Sequence, residues 1–541
     1  MSNGLFKIPV AINEPIRHYA PGSSERASLK AELERQANTV IDIPAYIDGK
    51  PYYSSEKYQV VMPHDHQHVL AEAVFADDKG INMAIESAMA AKESWAEMPW
   101  EHRAAIFLKA THLIRNKWRD RLNAATMLGQ SKTCFQAEID TCESCDFLNF
   151  YLSGMHTIYS NQPLETEGSF NRMEYRALDG FVLALSPFNF LAMGVNLACA
   201  PAIMGNVVIW KPAQTALLSA WYFYQALLEA GLPPGVINFV PARGADVSRI
   251  ALPHPNFGGL HFTGSNKTFG SLWKDIALNL DNYRQFPRIV GETGGKGFIF
   301  VHNTAEVSKV VAAMIRGAFE YQGQKCSAAT RAYVPRSLWP DIKKMLLDKT
   351  AELKVGDICD FTNFMGAVID QVAFNKIKLY IDYANESDDA EVLIGHYDDS
   401  KGYFIYPTVI EAKTPRFKTM VEEIFGPVLT IYVYEDEELE TAVNYCDEDT
   451  PYGLTGSIFA RSRDVIQDLE KKLSHAAGNF YINDKPTGST VGQQPFGGTR
   501  LSGTNDKTGT AMHLYRWVSA RVIKENFVFT DDVNYISMEE Q

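Results

Sequence analysis

Phe181-Val182-Leu183-Ala184-Leu185-Ser186-Pro187 is a short apolar run closed by a proline, and Val207-Val208-Ile209-Trp210-Lys211-Pro212 repeats the pattern further on. Short runs that stay apolar throughout and end at breakers read as strands buried on both faces. Leu217 to Ala230 reads as a helix and stops at the breaker Gly231-Leu232-Pro233-Pro234-Gly235. Residues 236–240 and 258–263 read as strands, a helix follows near 266–280, and 288–291 is a further strand. Strands that alternate with helices in this way predict a parallel sheet with crossover helices, a Rossmann-like nucleotide-binding unit.

Toward the N-terminus, residues 79–97 and 101–128 mix Ala, Leu, Ile and Met with charges at helical spacing, and 134–152 continue in the same style. Residues 160–178 turn polar, with Pro163, Gly168 and the alternating Met173 and Tyr175, and predict a β-hairpin or an exposed strand pair. Toward the C-terminus, a second α/β unit opens at Phe298-Ile299-Phe300-Val301. Its first helix carries Val307, Val310, Val311, Met314, Ile315 and Ala318 on one stripe and stops at Gly323. The alternation runs to about residue 485, and 515–529 is strand-like again.

The chain has 541 residues, 46% hydrophobic and 21% charged, which is ordinary for a globular protein with a large core. Its net charge of −14 argues against nucleic acid or an anionic membrane as partner. No apolar run is long enough for a membrane span, and residues 1–25 match neither a signal nor a transit peptide, so a cytoplasmic location is expected. The seven cysteines are scattered and odd in number, as in a reducing compartment. Cys142 and Cys145 form a single C-x-x-C on a predicted helix without the second pair a zinc site needs, and no metal is expected.

Five short stretches carry chemistry. Gly323-Gln324-Lys325-Cys326-Ser327-Ala328 places a cysteine in a turn after a helix and beside a lysine, a setting for a nucleophile or simply for packing. Glu292-Thr293-Gly294-Gly295-Lys296 puts a carboxylate at a strand end, where it can act as a general base or stay solvated. Asn189, between Phe188 and Phe190, can donate to an oxyanion or serve as a buried structural amide. Lys211 ends a strand where it could hold a ribose. Glu423 and Phe425, in Glu422-Glu423-Ile424-Phe425-Gly426-Pro427, pair a carboxylate with a ring.

Taken together, in this order and spacing, these stretches closely resemble the aldehyde dehydrogenase superfamily from about residue 45 to 528. The resemblance implies an aldehyde dehydrogenase-like α/β fold. Its parts would be a Rossmann-type NAD-binding domain (residues 20–158 and 180–296), an α/β catalytic domain (297–500) and a small β oligomerisation element (159–179 and 508–541). It implies Cys326 as nucleophile, Glu292 as general base, and Asn189 with the Cys326 N–H as oxyanion hole. Ser186, Lys211, Gly264, Ser265, Glu423 and Phe425 would bind NAD. Two positions depart from the family pattern: Phe269 stands where Gly is frequent, and Gln214 stands where NAD-preferring members carry Glu, which leaves NADP as the alternative cofactor.

Thr487-Gly488-Ser489-Thr490-Val491-Gly492-Gln493-Gln494-Pro495-Phe496 and the downstream Ser502-Gly503-Thr504-Asn505-Asp506-Lys507 resemble one branch of that superfamily, the L-glutamate γ-semialdehyde (Δ1-pyrroline-5-carboxylate) dehydrogenases. That likeness implies a substrate α-carboxylate held by Gly488, Ser489, Ser327 and Lys325, with Phe190 and Phe496 along its aliphatic middle. Backbone N–H groups in a Gly-containing turn suit such an anion. The expected reaction oxidises the semialdehyde to glutamate in proline catabolism, and an aldehyde dehydrogenase of broader specificity is the alternative. A homodimer or higher homo-oligomer, a possible separate proline dehydrogenase as partner, and a mitochondrial matrix location in a eukaryote complete the expectation.

Overall fold

The computed structural model describes residues 4–539. Two seven-stranded sheets organise it. The first has the strand order Arg288–Glu292, Phe257–Thr263, Phe181–Leu185, Val207–Lys211, Ile237–Phe239, Ala45–Ile47, Lys50–Tyr52. The first five strands of that order are parallel, and two short antiparallel strands from the N-terminal region extend the edge. The second sheet has the order Ala390–Ile394, Thr408–Ala412, Val428–Tyr434, Ala329–Pro335, Gly297–Val301, Thr455–Phe459, Asn479–Ile482, parallel except at Ala390–Ile394. Strands of the first sheet all precede Thr293, and those of the second lie between Gly297 and Ile482.

The apolar runs form their strands because they are covered on both faces. Phe181–Leu185 is buried at every position, and the helix Leu191–Ile203 that packs near it is buried at every position but Met193. Ends follow local chemistry. The helix Leu217–Ala230 stops at Gly231, which is left-handed at φ 102°, the common C-terminal device. One predicted long helix is two, Trp100–Arg115 and Arg119–Gln130, broken at Asn116–Trp118.

The predicted hairpin in 160–178 is corrected. Only Ser169–Arg176 is a strand there, and its antiparallel partner is Ser519–Asn526, in register from Ser519 opposite Arg176 to Asn526 opposite Ser169. The two segments that looked strand-like separately are the two halves of one ribbon.

Residues 4–23 form no helix or strand, yet they are tied down. Glu14 is buried between Arg115 and Arg119, at 2.6 and 2.8 Å. Glu138, on the helix Cys134–Ser160, pairs with Arg119 and accepts from the Arg17 N–H (2.7 Å), the Tyr19 hydroxyl (2.8 Å) and the Asn123 amide (2.8 Å). Each carboxylate oxygen of Glu14 and Glu138 is partnered, which a buried ion pair requires. Glu138→Ala strips Arg119, Tyr19 and Asn123 of a shared acceptor, and about 3–5 kcal/mol of stability is lost. A urea titration checks this. A midpoint equal to wild type contradicts it, and Glu138→Gln, which keeps the size and part of the bonding, falls in between.

Candidate active site

The nucleophile turn is built by backbone strain. After the helix Val307–Phe319 the chain enters three successive left-handed residues, Tyr321 (φ 51°), Gln322 (φ 55°) and Gly323 (φ 63°). Left-handed backbone is unfavourable for side chains other than glycine, so the turn needs external support. Gln322 provides it by donating to the Ser131 and Ala367 carbonyls (2.9 and 2.7 Å) and accepting from the Gly366 N–H (3.2 Å). At Gly323 a side chain is excluded outright, because a Cβ there would stand 2.3 Å from the Gly426 carbonyl oxygen. The turn delivers Cys326 just ahead of the strand Ala329–Pro335.

Asn189 arrives from the other sheet, after the strand Phe181–Leu185 and before the helix Leu191–Ile203. Asp140 accepts from the first helical N–H groups, Leu191 and Ala192, at 3.0 and 2.9 Å, and is itself paired with the buried Lys132. Lys132 lies over the Phe190 ring at 4.3 Å. The Asn189 amide donates one N–H to the Gln324 carbonyl at 3.1 Å, which fixes it beside the nucleophile turn and leaves its second N–H for another acceptor.

Both protein acids of this centre are weak at rest. Burial, then the nearby Glu292 and Glu423 carboxylates, push the Cys326 thiol up to about 12, although the Ser327 N–H works in the opposite sense. Burial also raises Glu292 well above the usual carboxylate range, and Asp506 adds to this, while Lys507 and the Gly498 N–H oppose it. The Glu292 side chain packs against the segment around Gly497 and Gly503. One of its oxygens is buried and without a hydrogen-bond partner.

A cleft of about 970 Å³ runs between the sheets. Of the residues singled out from sequence, Asn189, Phe190, Gly264, Ser265, Lys325, Cys326, Ser327, Glu423, Phe425, Gly488, Ser489 and Phe496 line it. Glu292, Ser186 and Lys211 are outside the lining. The Ser186 hydroxyl accepts from the Trp210 indole at 3.0 Å, an internal role. Lys211 ends its strand two residues before the lining Ala213, and burial lowers its ammonium to about 8.

At one end of the cleft the surroundings suit a dinucleotide. Ser265 caps the helix Asn266–Leu278, accepting from the Thr268 N–H at 3.1 Å, and is exposed at a helix N-terminus, where phosphate is favoured. Phe269 points inward and stacks on Phe262 with ring centroids 5.5 Å apart, so its bulk leaves that terminus open. Glu423 accepts from the Gly295 N–H at 3.0 Å, in space that exists because Gly294 has no side chain. Phe425, left-handed at φ 62°, meets Phe188 edge to face. Gln214 is exposed.

At the other end the Ser327 hydroxyl shares a hydrogen bond with Thr487 at 2.7 Å. Lys325, expected as a direct anchor, is paired with Glu320 at 3.3 Å, and Glu320 also binds Arg316 at 2.8 Å. Arg316 and Lys485 line the cleft here beside Lys325. Three basic side chains therefore stand at the end that carries Gly488 and Ser489, and of the lining carboxylates Glu320 is paired with Arg316 and Lys325 and Glu14 with Arg115 and Arg119, an arrangement that leaves room for an anion. Sequence reading missed Arg316, Lys485 and Glu143. Glu143 also lines the cleft, and burial with Asp140 and Asp146 raises its carboxyl to about 8. The spacing of Glu143 one residue after Cys142 on an inward helix was its only sequence signal.

Residues 52–522 match the aldehyde dehydrogenase family, and the chain belongs to it. The delta-1-pyrroline-5-carboxylate dehydrogenases are its near relatives. The mitochondrial one of Dictyostelium discoideum is 51% identical over 526 residues, 96% of this chain and 94% of that protein. The human mitochondrial one is 47% identical over 530 residues, 97% of this chain and 94% of that protein. The crystal structure of the Mycobacterium tuberculosis delta-pyrroline-5-carboxylate dehydrogenase bound with NAD covers 100% of both chains at 46% identity, with a TM-score of 0.96. The fold expected from the sequence resemblance is the fold observed. Among the described residues, no helix is long and apolar enough to cross a membrane.

Because burial, and then the neighbouring carboxylates, hold the Cys326 proton on, its alkylation by iodoacetamide near neutral pH is slow and rises about tenfold per pH unit toward alkaline pH. Where Glu292 is ionised it repels the thiolate, so Glu292→Gln speeds alkylation at alkaline pH. Peptide mass mapping of Cys326 checks this. An unchanged or slower rate in the variant contradicts the stated coupling.

Proposed function

We propose that the protein is an NAD-dependent L-glutamate γ-semialdehyde dehydrogenase that produces L-glutamate through a thioester on Cys326. One observation carries the reading: a single cleft joins Cys326 and Asn189 to a cation-rich end at Gly488 and Ser489. A substrate with an aldehyde at one end and a carboxylate at the other matches those two poles. The semialdehyde is such a molecule, and it forms by hydrolysis of its cyclic imine. Its α-ammonium would lie near Glu143, which offers it an acceptor in that wall and a counter-charge on ionising.

NAD, when bound, supplies the two-electron acceptor. Ser265 and the helix N-terminus behind it would hold the diphosphate, and Glu423 with Phe425 the ribose and ring nearest Cys326. The protein's own part begins with transfer of the Cys326 proton to water in the cleft, and Glu292 enters the later step as its ionised carboxylate. The sulfur forms a bond to the aldehyde carbon, and the carbonyl oxygen takes the negative charge. The free Asn189 N–H and the Cys326 backbone N–H stabilise that oxygen, a contribution of about 2.7–4 kcal/mol per donor in comparable sites. As the oxygen's electrons re-form the carbonyl, the aldehyde hydrogen leaves with its bonding pair to the acceptor, and a thioester remains on Cys326.

Glu292 then takes a proton from water, hydroxide adds to the thioester carbon, and the carbon–sulfur bond breaks to give glutamate and the thiol. From its packing beside Gly497, Glu292 acts by swinging toward the cleft. We assign the ribbon of Ser169–Arg176 and Ser519–Asn526 to self-association; Val522 on it is 63% exposed. The reaction suits a reducing compartment, the cytoplasm or, as the names of the eukaryotic relatives indicate, mitochondria. A separate proline dehydrogenase that supplies the imine belongs to the same proposal.

The anchor is tested by Ser489→Ala. Loss of a hydrogen bond to a charged group, about 1.5–3 kcal/mol, lowers kcat/KM for the semialdehyde about 10–100-fold. Propanal, which has no carboxylate, is oxidised as before. Equal losses on both aldehydes, or none, would return the protein to an aldehyde dehydrogenase of other specificity.

A further inference from the structure

The outer wall of the carboxylate end is made by the N-terminal arm, which takes no part in the chemistry described above. Asn13, Glu14, Ile16 and His18 line the same cleft as Ser489 and Val491. The arm has no secondary structure and owes its course to bonds with distant residues. The Glu14 N–H donates to Asp146 at 2.7 Å, and the Glu14 carboxylate is gripped by Arg115 and Arg119.

Asn13 is the point where this arm meets the anchoring loop. Its amide donates to Asp146 at 2.9 Å and to the Val491 carbonyl at 2.8 Å, and its oxygen accepts from the Gln493 amide at 2.9 Å. The two N–H groups and the oxygen are thereby all engaged. The loop's other bonds at this place are internal, from the Gln493 and Gln494 N–H groups to the Thr490 carbonyl and from the Thr490 N–H to the Gln494 side chain. Among the described residues, the hydrogen bonds that leave 490–494 run to Asn13.

We propose that Asn13 is a specificity-determining positioning residue, whose amide clamps the loop to the helix Cys134–Ser160 and so holds Gly488 and Ser489 at the distance from Cys326 that a five-carbon aldehyde acid spans. This rests on the substrate reading above. Asn13 acts through the loop, because both of its N–H donors are already engaged and none is left for a carboxylate. Loops held by few external bonds sample other conformations, and a donor turn that wanders binds its anion less well while the nucleophile stays in place. The expected signature is a change in KM without a change in kcat.

The test compares Asn13→Ala with wild type on glutamate semialdehyde and on propanal, with amide hydrogen exchange followed over 487–494. Two lost bonds of ordinary strength predict a KM for the semialdehyde raised about tenfold or more. The kcat is kept, propanal kinetics are unchanged, and exchange in the loop is faster. Gln493→Ala, which cuts one of the two ties without touching the arm, gives a smaller shift in the same direction and serves if Asn13→Ala does not fold. Unchanged semialdehyde KM with unchanged exchange overturns the proposal, as does an equal kcat loss on both aldehydes. If wild type itself does not favour the semialdehyde over propanal, the substrate reading fails instead, and faster loop exchange in the variant still shows the clamp.

Discussion

The active centre depends on one close approach, that of Gly323 to the Gly426 carbonyl. The nucleophile turn and the turn that carries Glu423 and Phe425 come from segments about a hundred residues apart, and here they pack backbone to backbone with no room for a Cβ. Both turns are left-handed at this place, Tyr321 to Gly323 on one side and Phe425 on the other. Neither conformation is favourable in isolation. Each persists because the other occupies the space into which it would relax, and because Gln322 is held from three sides. Sulfur and ring are thus placed by backbone geometry, which is stiffer than side-chain rotamers and suited to aligning reacting atoms.

Electrostatics divides the cleft into two unlike poles. Around Cys326 and Glu292, burial and neighbouring carboxylates favour the protonated forms, so the resting centre avoids a pair of adjacent buried anions. Around Ser489 stand Lys325, Lys485 and Arg316, with Glu320 paired to two of them. A substrate that is uncharged where it reacts and anionic where it is held is drawn to lie in one direction. The same buried, water-poor setting that weakens the two acids strengthens hydrogen bonds to an oxygen that becomes negative.

The strands and crossover helices were legible because local composition and burial agree: the strand Val207–Lys211 and the helix Leu217–Ala230 occur where breakers and apolar periodicity put them. The ribbon was half legible. Both strands showed in the sequence, but their pairing spans 343 residues between Arg176 and Ser519 and leaves no local trace. The motif residues that line the cleft, such as Cys326, Asn189, Glu423 and Ser489, were found because their stretches, taken together in order and spacing, resemble the aldehyde dehydrogenase pattern. The family resemblance implied Ser186 as a cofactor ligand; that its hydroxyl accepts from the Trp210 indole was not legible in the sequence. Arg316, Lys485 and Glu143 escaped notice because a charge on a helix or in a loop is usually solvated, and only folding reveals which ones face inward. The N-terminal arm escaped for a related reason: its order comes entirely from distant partners.

The central claim is that Cys326 carries the substrate as a glutamyl thioester and that Glu292 is needed chiefly to release it. Rapid mixing of the Glu292→Gln variant with semialdehyde and NAD, followed by acid quench and peptide mass analysis, addresses it directly. The account predicts a burst of NADH matched in amount by a glutamyl adduct on the peptide that contains Cys326. A burst with no adduct on that peptide, or an adduct on another of the seven cysteines, would contradict it.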